Sequence, residues 1–268
     1  MIKFWGVRGS NPCTGAEFAA VGGETSCVEV RAGGQTIILD LGSGARALGV
    51  DLLARGVCQA TVLLTHLHID HICGLFGFAP FMRAGFSLDI RGASPGMEHS
   101  LKTLAAPPYW PLTFSDFPAA VSMTPLEAGA SWQIGEVRVS AAELSHPNSA
   151  VGYRLDFNGK SLCYITDTQV LDSAVSDRII RFVKGADFVI YDCTFEEDEL
   201  ADKLRWGHSS WREGRTLLAE AGAGKLLAFH HAPTKTDAAM AQMEAAIAAS
   251  GLADKVIVAK QGLEITDF

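Results

Sequence analysis

The sequence lacks several features that would place it in a special class of proteins. Its six cysteines form no Cys-x-x-Cys pair, its basic residues number 22 against 30 acidic ones for a net charge of −8, and it has no Pro- or Ser-rich linker. Scattered cysteines favour reduced, mostly buried thiols over a disulfide framework or a Cys-based zinc site. An acidic balance makes a long nucleic acid a poor partner. Without a linker or repeat, residues 1–268 are expected to form one domain.

No apolar run approaches the about 18 residues that would span a bilayer, and the longest, 72–82, falls well short. The opening residues also lack the apolar core of a secretory signal, because Arg8 interrupts them. We therefore expect a cytoplasmic protein with no membrane partner.

Short apolar and β-branched runs dominate the chain and predict strands. They lie at 2–7, 26–30, 36–41, 60–65, 137–141, 151–157, 162–166, 188–191, 226–229 and 256–258. Helical periodicity is clearest at 211–221 and 238–249, and a further helix is expected after Cys73. The mixture predicts an α/β (α+β) protein with sheets covered by helices.

Three segments between these elements carry local signals. Asn158-Gly159 predicts a two-residue hairpin turn. Ser210 and Glu213 form the pattern of a capping box, so a helix should begin just after His208 and end near Gly222 or Gly224. Residues 104–118 hold four prolines and four aromatic residues and predict an irregular loop, either a lid or a loop whose aromatic side chains pack on the edge of the core.

The pattern that carries chemistry is His66-Leu67-His68-Ile69-Asp70-His71, directly after the strand at 60–65. Such a run arises by chance in roughly one chain in a thousand of this length and composition. Imidazole and carboxylate groups are ligands of zinc and its neighbours. His66 and His68 can bind one ion, and Asp70 and His71 can bind a second. The alternative is a polar surface turn, which fits poorly between two apolar segments.

Four further histidines, His146, His208, His230 and His231, lie at predicted element boundaries, whereas His99 stands alone and is taken as a surface residue. The hairpin register places His146 and Asp167 together at its open end. A carboxylate there can bridge two metal ions, although a turn-capping role for Asp167 is also open.

His230 and His231 follow the strand at 226–229. Adjacent residues point to opposite faces, so His230, at the strand end, is favoured as the ligand. His208 precedes a helix N-terminus, where a histidine could meet a phosphate group and protonate a leaving oxygen; a solvated position beside the cap is the alternative.

Residues 42–47, Gly-Ser-Gly-Ala-Arg-Ala, match a dinucleotide-binding pattern. The acidic residue expected about 20 positions later is missing, so we reject a nicotinamide site. We expect a tight turn here, with Asp40 as a partner of a metal ligand.

Together these residues resemble the metallo-β-lactamase superfamily, and more narrowly its phosphodiesterase branch of tRNA 3′-processing endonucleases, cyclic-nucleotide phosphodiesterases and phosphoribosyl cyclic phosphate phosphodiesterases. The resemblance runs from Phe4–Ser10 through Gly22–Cys27, Leu39–Gly42 and the histidine run to Gly207–Ser210 and His230–Pro233. It implies a four-layer αββα sandwich and two divalent metal ions, zinc or manganese. His66, His68 and His146 would hold one ion, Asp70, His71 and His230 the other, and Asp167 would bridge them.

The resemblance also implies a phosphodiesterase in which a metal-bridging hydroxide attacks the phosphorus atom. Asp70 would orient the hydroxide, and His208 would assist cleavage. The acidic chain favours a small, cyclic or linear, phosphodiester over tRNA. A lactone or thioester hydrolase of the same fold and a non-enzymatic metal-binding protein remain alternatives. A homodimer is left open.

Overall fold

The computed structural model describes residues 1–268 as two seven-stranded mixed sheets with helices on their outer faces. The first sheet has the order β14-β1-β2-β3-β4-β5-β6. Its strands are β1 (Ile2–Gly6), β2 (Cys27–Ala32), β3 (Gln35–Leu39), β4 (Gln59–Leu64), β5 (Ser87–Gly92), β6 (Ala120–Pro125) and β14 (Glu264–Ile265).

The second sheet has the order β13-β12-β11-β10-β9-β8-β7. Its strands are β7 (Ser131–Ile134), β8 (Val137–Leu144), β9 (Ala150–Phe157), β10 (Lys160–Ile165), β11 (Phe188–Asp192), β12 (Lys225–Phe229) and β13 (Val256–Val258). Strands β10 to β13 are parallel, so the ends of β10, β11 and β12 lie at one edge of the sheet.

Seven α-helices complete the fold. They are α1 (Ala45–Ala54), α2 (Ile69–Ile72), α3 (Met97–Leu104), α4 (Ser173–Val183), α5 (Glu197–Leu200), α6 (Trp211–Ala221) and α7 (Asp237–Ala249). Helices α1 and α3 pack on the first sheet, and α4, α6 and α7 on the second. None of them is long and apolar enough to cross a membrane.

The two sheets face each other across the larger hydrophobic core. Phe4 of β1 and Phe229 of β12 meet there with ring centroids 5.9 Å apart. A smaller core lies on the other side of the first sheet, where Leu48 of α1 and Leu101 of α3 are fully buried. The order helix, sheet, sheet, helix confirms the predicted αββα sandwich.

The predicted hairpin is confirmed in detail. Asn158 and Gly159 have φ angles of 48° and 74°, and Phe157 pairs with Lys160. This register brings Tyr153 opposite Tyr164 and carries the chain ends that hold His146 and Asp167 to one side of the sheet.

The structure corrects two local predictions. Cys73 begins two short 3-10 turns rather than a regular helix, because Gly74, Gly77 and Pro80 have the lowest helix propensities. The tight turn expected after β3 is present and leads into α1. Ser210 caps α6 as predicted, but Glu213 accepts a hydrogen bond from the Ser209 hydroxyl and does not complete the box.

The cysteines agree with the expectation of unpaired thiols, but only half of them are buried rather than most. All six are free, and Cys27, Cys163 and Cys193 are buried.

Helix α6 ends at Gly222, whose φ of 61° is the left-handed conformation that glycine adopts without strain.

Candidate metal centre

Polar residues at the ends of strands from both sheets converge on one site. His66 follows β4, Asp167 follows β10, and His230 follows β12. Asp167 and His230 have positive φ angles of 55° and 60°, a conformation that costs a non-glycine residue about 1 kcal/mol or more. Such strain is typical of functional sites, where the surrounding structure holds a side chain in place.

One cluster contains His66, His68 and His146, whose candidate ligand atoms lie within 4.8 Å of one another. The Nε2 atom of His146 is 3.1 Å from Nδ1 of His68. His68 is half-buried, whereas the imidazole of His146 is only 2% exposed.

The second cluster contains Asp70, His71 and His230, all buried. The Nε2 atoms of His71 and His230 are 3.3 Å apart, and each lies within 3.3 Å of Asp70 Oδ2. Burial alone would raise the pKa of Asp70, but the adjacent His71 and His230 rings hold it below its usual range.

Asp167 lies between the clusters and directs one oxygen to each. Its Oδ1 is 3.8 Å from Nε2 of His66 and 3.7 Å from Nε2 of His146. Its Oδ2 is 3.1 Å from Nε2 of His71 and 3.3 Å from Nε2 of His230. A single carboxylate therefore faces both groups of imidazoles.

Four imidazole rings are fixed through the nitrogen that faces away from the clusters. The partners of Nδ1 are the Thr65 hydroxyl for His66 at 3.0 Å, Asp40 for His71 at 2.8 Å, the Gly207 carbonyl for His146 at 2.9 Å and the Thr194 hydroxyl for His230 at 2.9 Å. This arrangement is typical of metal-ligating histidines, because the outer hydrogen bond sets the ring orientation and leaves Nε2 free. Asp40, predicted from the sequence to be a partner of a metal ligand, contacts the His71 ring.

The donor set fits a divalent ion. His66 is 1% exposed, yet its Nε2 has no hydrogen-bond partner. Burial holds the pKa of His66 well below its usual range, so the ring is neutral and keeps a lone pair on that nitrogen. A buried, unpaired polar atom is costly in a folded protein, and a cation bound between these nitrogens and carboxylates would satisfy it.

His208 lies beside the clusters and is held by a second carboxylate. Its Nδ1 is 2.8 Å from Asp192 Oδ2 and 3.9 Å from Asp167 Oδ1. Burial would lower the pKa of His208, but Asp192 and Asp167 outweigh it and raise the pKa to about 9. The ring is thus a proton donor near neutral pH, and it sits two residues before the N-cap of α6.

Sequence reasoning missed Asp192, which also accepts hydrogen bonds from the backbone N–H groups of Asp167 and Thr194. A signal was present, because Asp192 ends β11 as Asp167 follows β10. No sequence pattern marks Thr65 or Thr194 as partners of the histidines.

The remaining sequence candidates lie elsewhere. His231 is buried away from the clusters, with Nε2 2.9 Å from the Ala259 carbonyl, and His99 is exposed on α3. In the loop at 104–118, Phe114 and Phe117 pack on Phe81 of the smaller core, as the core-edge interpretation expects. Trp110 of that loop lines an apolar cavity of about 320 Å³.

The turn at 42–44 is closed to a nucleotide. Gly42 donates its N–H to the Ser26 carbonyl and lies directly against the backbone of Asp70. The turn packs against the histidine run and leaves no room for a nucleotide. This agrees with the rejection of a nicotinamide site.

Comparison with known proteins agrees with this geometry. Residues 50–231 match the family described as "Beta-lactamase superfamily domain". The chain is 31% identical over 225 residues to Ribonuclease Z of Mycobacterium avium (strain 104), covering 76% of this chain and 78% of the relative. It is 27% identical over 220 residues to the probable metallo-hydrolase YhfI of Bacillus subtilis (strain 168), covering 80% and 82%.

Solved structures share the fold. The crystal structure of YhfI from Bacillus subtilis superposes with a TM-score of 0.74 at 20% identity, covering 98% of this chain and 96% of that one. A diphosphatase from the PhnP family superposes with a TM-score of 0.72 at 18% identity, covering 100% and 97%. The chain therefore belongs to the β-lactamase superfamily, with the metallo-β-lactamase fold, and is a metal-dependent hydrolase.

Proposed function

We propose that the protein is a binuclear metal-dependent phosphodiesterase that hydrolyses a small phosphodiester. The observation that carries the proposal is the position of Asp167, with one oxygen facing His66 and His146 and the other facing His71 and His230. One ion would be held by His66, His68 and His146, a second by Asp70, His71 and His230, and both by Asp167.

The donor set favours zinc, because imidazole and carboxylate groups without thiolates form its hydrolytic sites, and manganese is the second choice. When bound, such ions supply an acidified water molecule and neutralise the charge of the phosphate oxygens.

Asp70 and His208 would take the two other catalytic roles, orienting the attacking water and donating a proton to the leaving oxygen. The Oδ2 atom of Asp70 accepts a hydrogen bond from the Ser10 N–H at 2.6 Å, which leaves Oδ1 without a protein donor and able to orient the attacking water. His208, fixed through Nδ1 by Asp192, can donate the proton on Nε2 to the oxygen that leaves phosphorus.

A small substrate fits the charge of the molecule. A chain with a net charge of −8 gains little from a long polyanion, since such binding rests on neutralising many phosphates. One phosphate group, in contrast, can be held at the metal centre alone. Cleavage of RNA is the second candidate, favoured by the 31% identity to Ribonuclease Z.

A substrate panel separates these functions. The zinc- and manganese-loaded protein is assayed with bis(p-nitrophenyl) phosphate, small cyclic phosphodiesters, a precursor tRNA, a lactone and a thioester. We expect the small phosphodiesters to give the highest kcat/KM. Faster cleavage of precursor tRNA would replace the small-substrate proposal, and activity confined to the lactone or thioester would overturn the phosphodiesterase proposal. No hydrolysis of any of them would favour a metal-binding protein without catalysis.

A further inference from the structure

The segment Lys203–Trp206, which leads directly into Gly207 and His208, carries two exposed large apolar side chains. The side chain of Trp206 is 57% exposed and that of Leu204 is 66% exposed. Exposed large apolar groups next to a catalytic site are typical of ligand-binding surfaces.

This segment is anchored at several points. The side chain of Gln169, which is 4% exposed, accepts hydrogen bonds from the backbone N–H groups of Arg205 at 2.6 Å and Gly207 at 3.5 Å. Its amide nitrogen donates to the Lys203 carbonyl at 3.3 Å. Gly207 in turn accepts a hydrogen bond from His146. The backbone on both sides of Trp206 is therefore held in a defined place relative to the metal centre.

The ring of Trp206 is connected to His208 through one aromatic neighbour. Phe195 lies 6.3 Å from Trp206 and 5.7 Å from His208, measured between ring centroids. The distance between the ring centroids of Trp206 and His208 therefore cannot exceed the sum of these two distances. Lys203 Nζ lies 4.4 Å from the Trp206 ring centroid, so a cation covers part of the ring while more than half of the side chain faces solvent.

We propose that Trp206, positioned by Gln169 and flanked by Lys203, is a stacking subsite for a flat aromatic group attached to the substrate phosphate, so that the substrate is a nucleoside-containing phosphodiester. This rests on the proposed function and names its substrate class. An aromatic ring held rigidly loses little entropy when it stacks on a base, and stacking does not depend on which base is present.

The test compares two phosphates that differ only in the base. Binding of adenosine 5′-monophosphate and of ribose 5-phosphate to the zinc-loaded protein is measured by calorimetry. We expect the nucleotide to bind about tenfold tighter than the sugar phosphate, the usual scale for one stacked base. Trp206→Ala and Trp206→Leu should each remove about that factor for the nucleotide and change ribose 5-phosphate less than twofold. Trp206→Phe should retain most of the preference.

Tyr109→Ala is the matched control, because Tyr109 is an aromatic residue 67% exposed on the loop at 104–118. It should leave both affinities unchanged. The subsite is ruled out if parent protein binds the two compounds equally or not at all, if the Trp206 variants weaken both to the same extent, or if Tyr109→Ala has the effect expected of Trp206→Ala. Calorimetry measures binding and not hydrolysis. The stacking subsite can therefore be supported or ruled out whatever the substrate panel shows about the proposed function.

Discussion

At the scale of single residues, the centre is built from imidazoles whose outer nitrogens are already engaged. Asp40, Thr65, Thr194 and the Gly207 carbonyl each hold one ring, which explains why four rings can present Nε2 to the same space. Metal affinity should therefore depend on these outer partners as well as on the ligands.

The adjacent histidines should respond differently to substitution. His230→Ala is expected to lower the metal content from two ions to one, because its Nε2 lies in the second cluster. His231→Ala should retain both ions and instead lower the free energy of unfolding by about 1–3 kcal/mol, since it leaves the buried Ala259 carbonyl without its partner. Metal analysis and thermal unfolding of both variants check this. Loss of an ion in His231→Ala alone would show that the wrong member of the pair was chosen.

His208 is expected to take part in catalysis and not to bind a metal ion. In His208→Ala we expect unchanged metal content and a kcat for bis(p-nitrophenyl) phosphate lowered on the order of 10²-fold or more, with a smaller change in KM. Steady-state kinetics with parallel metal analysis measure both quantities. A variant as fast as the parent, or one that lacks an ion, would contradict the assignment.

At the scale of elements, the turn after β1 closes the second cluster. A Cβ atom at Gly9 would clash with the His230 ring, and the next residue, Ser10, donates its backbone N–H to Asp70. The turn therefore contacts two ligand candidates of the same cluster through backbone atoms alone.

Gly9→Ala should displace His230 and weaken the binding of one metal ion by tenfold or more, whereas Ser10→Ala should not, because it keeps the backbone donor. The usual effect of disturbing groups that orient a ligand is 10–100-fold. Competition with a metal chelator measures the affinities. Equal affinities in Gly9→Ala and the parent would show that the turn does not position the ring.

Elements with strong local signals could be predicted from the sequence, and those defined by distant contacts could not. The Asn158-Gly159 turn and helix α6 follow from local chemistry. Strand β6 (Ala120–Pro125) is an edge strand in which only Val121 and Met123 alternate with exposed neighbours, a pattern too short to predict a strand from the sequence. The His66 run was recognisable because strand and ligands are contiguous, whereas Gln169 is recognisable only by its contacts with residues 34 to 38 positions away.

At the scale of the whole molecule, the centre joins the two sheets. His66 follows a strand of the first sheet, with Asp70 and His71 in helix α2 just after it, while Asp167 and His230 follow strands of the second sheet. Bound ions would therefore connect two halves of the fold that otherwise meet through the hydrophobic core.

Metal removal should consequently destabilise the protein. An ion present at 100 times its dissociation constant adds about 2.7 kcal/mol to the free energy of unfolding. For a chain of this size, chelation should lower Tm by roughly 5–10 °C. Thermal unfolding with and without chelator tests this, and restoration by added zinc is the control. An unchanged Tm would argue against a metal centre that bridges the sheets.

The most direct test of the two-metal account is the number of zinc ions bound per chain in the parent and in Asp167→Ala, measured by metal analysis after dialysis against the same buffer. The account predicts two ions in the parent and fewer than two in the variant, because both clusters lose a shared carboxylate. One ion or none in the parent, or two ions retained in Asp167→Ala, would contradict it.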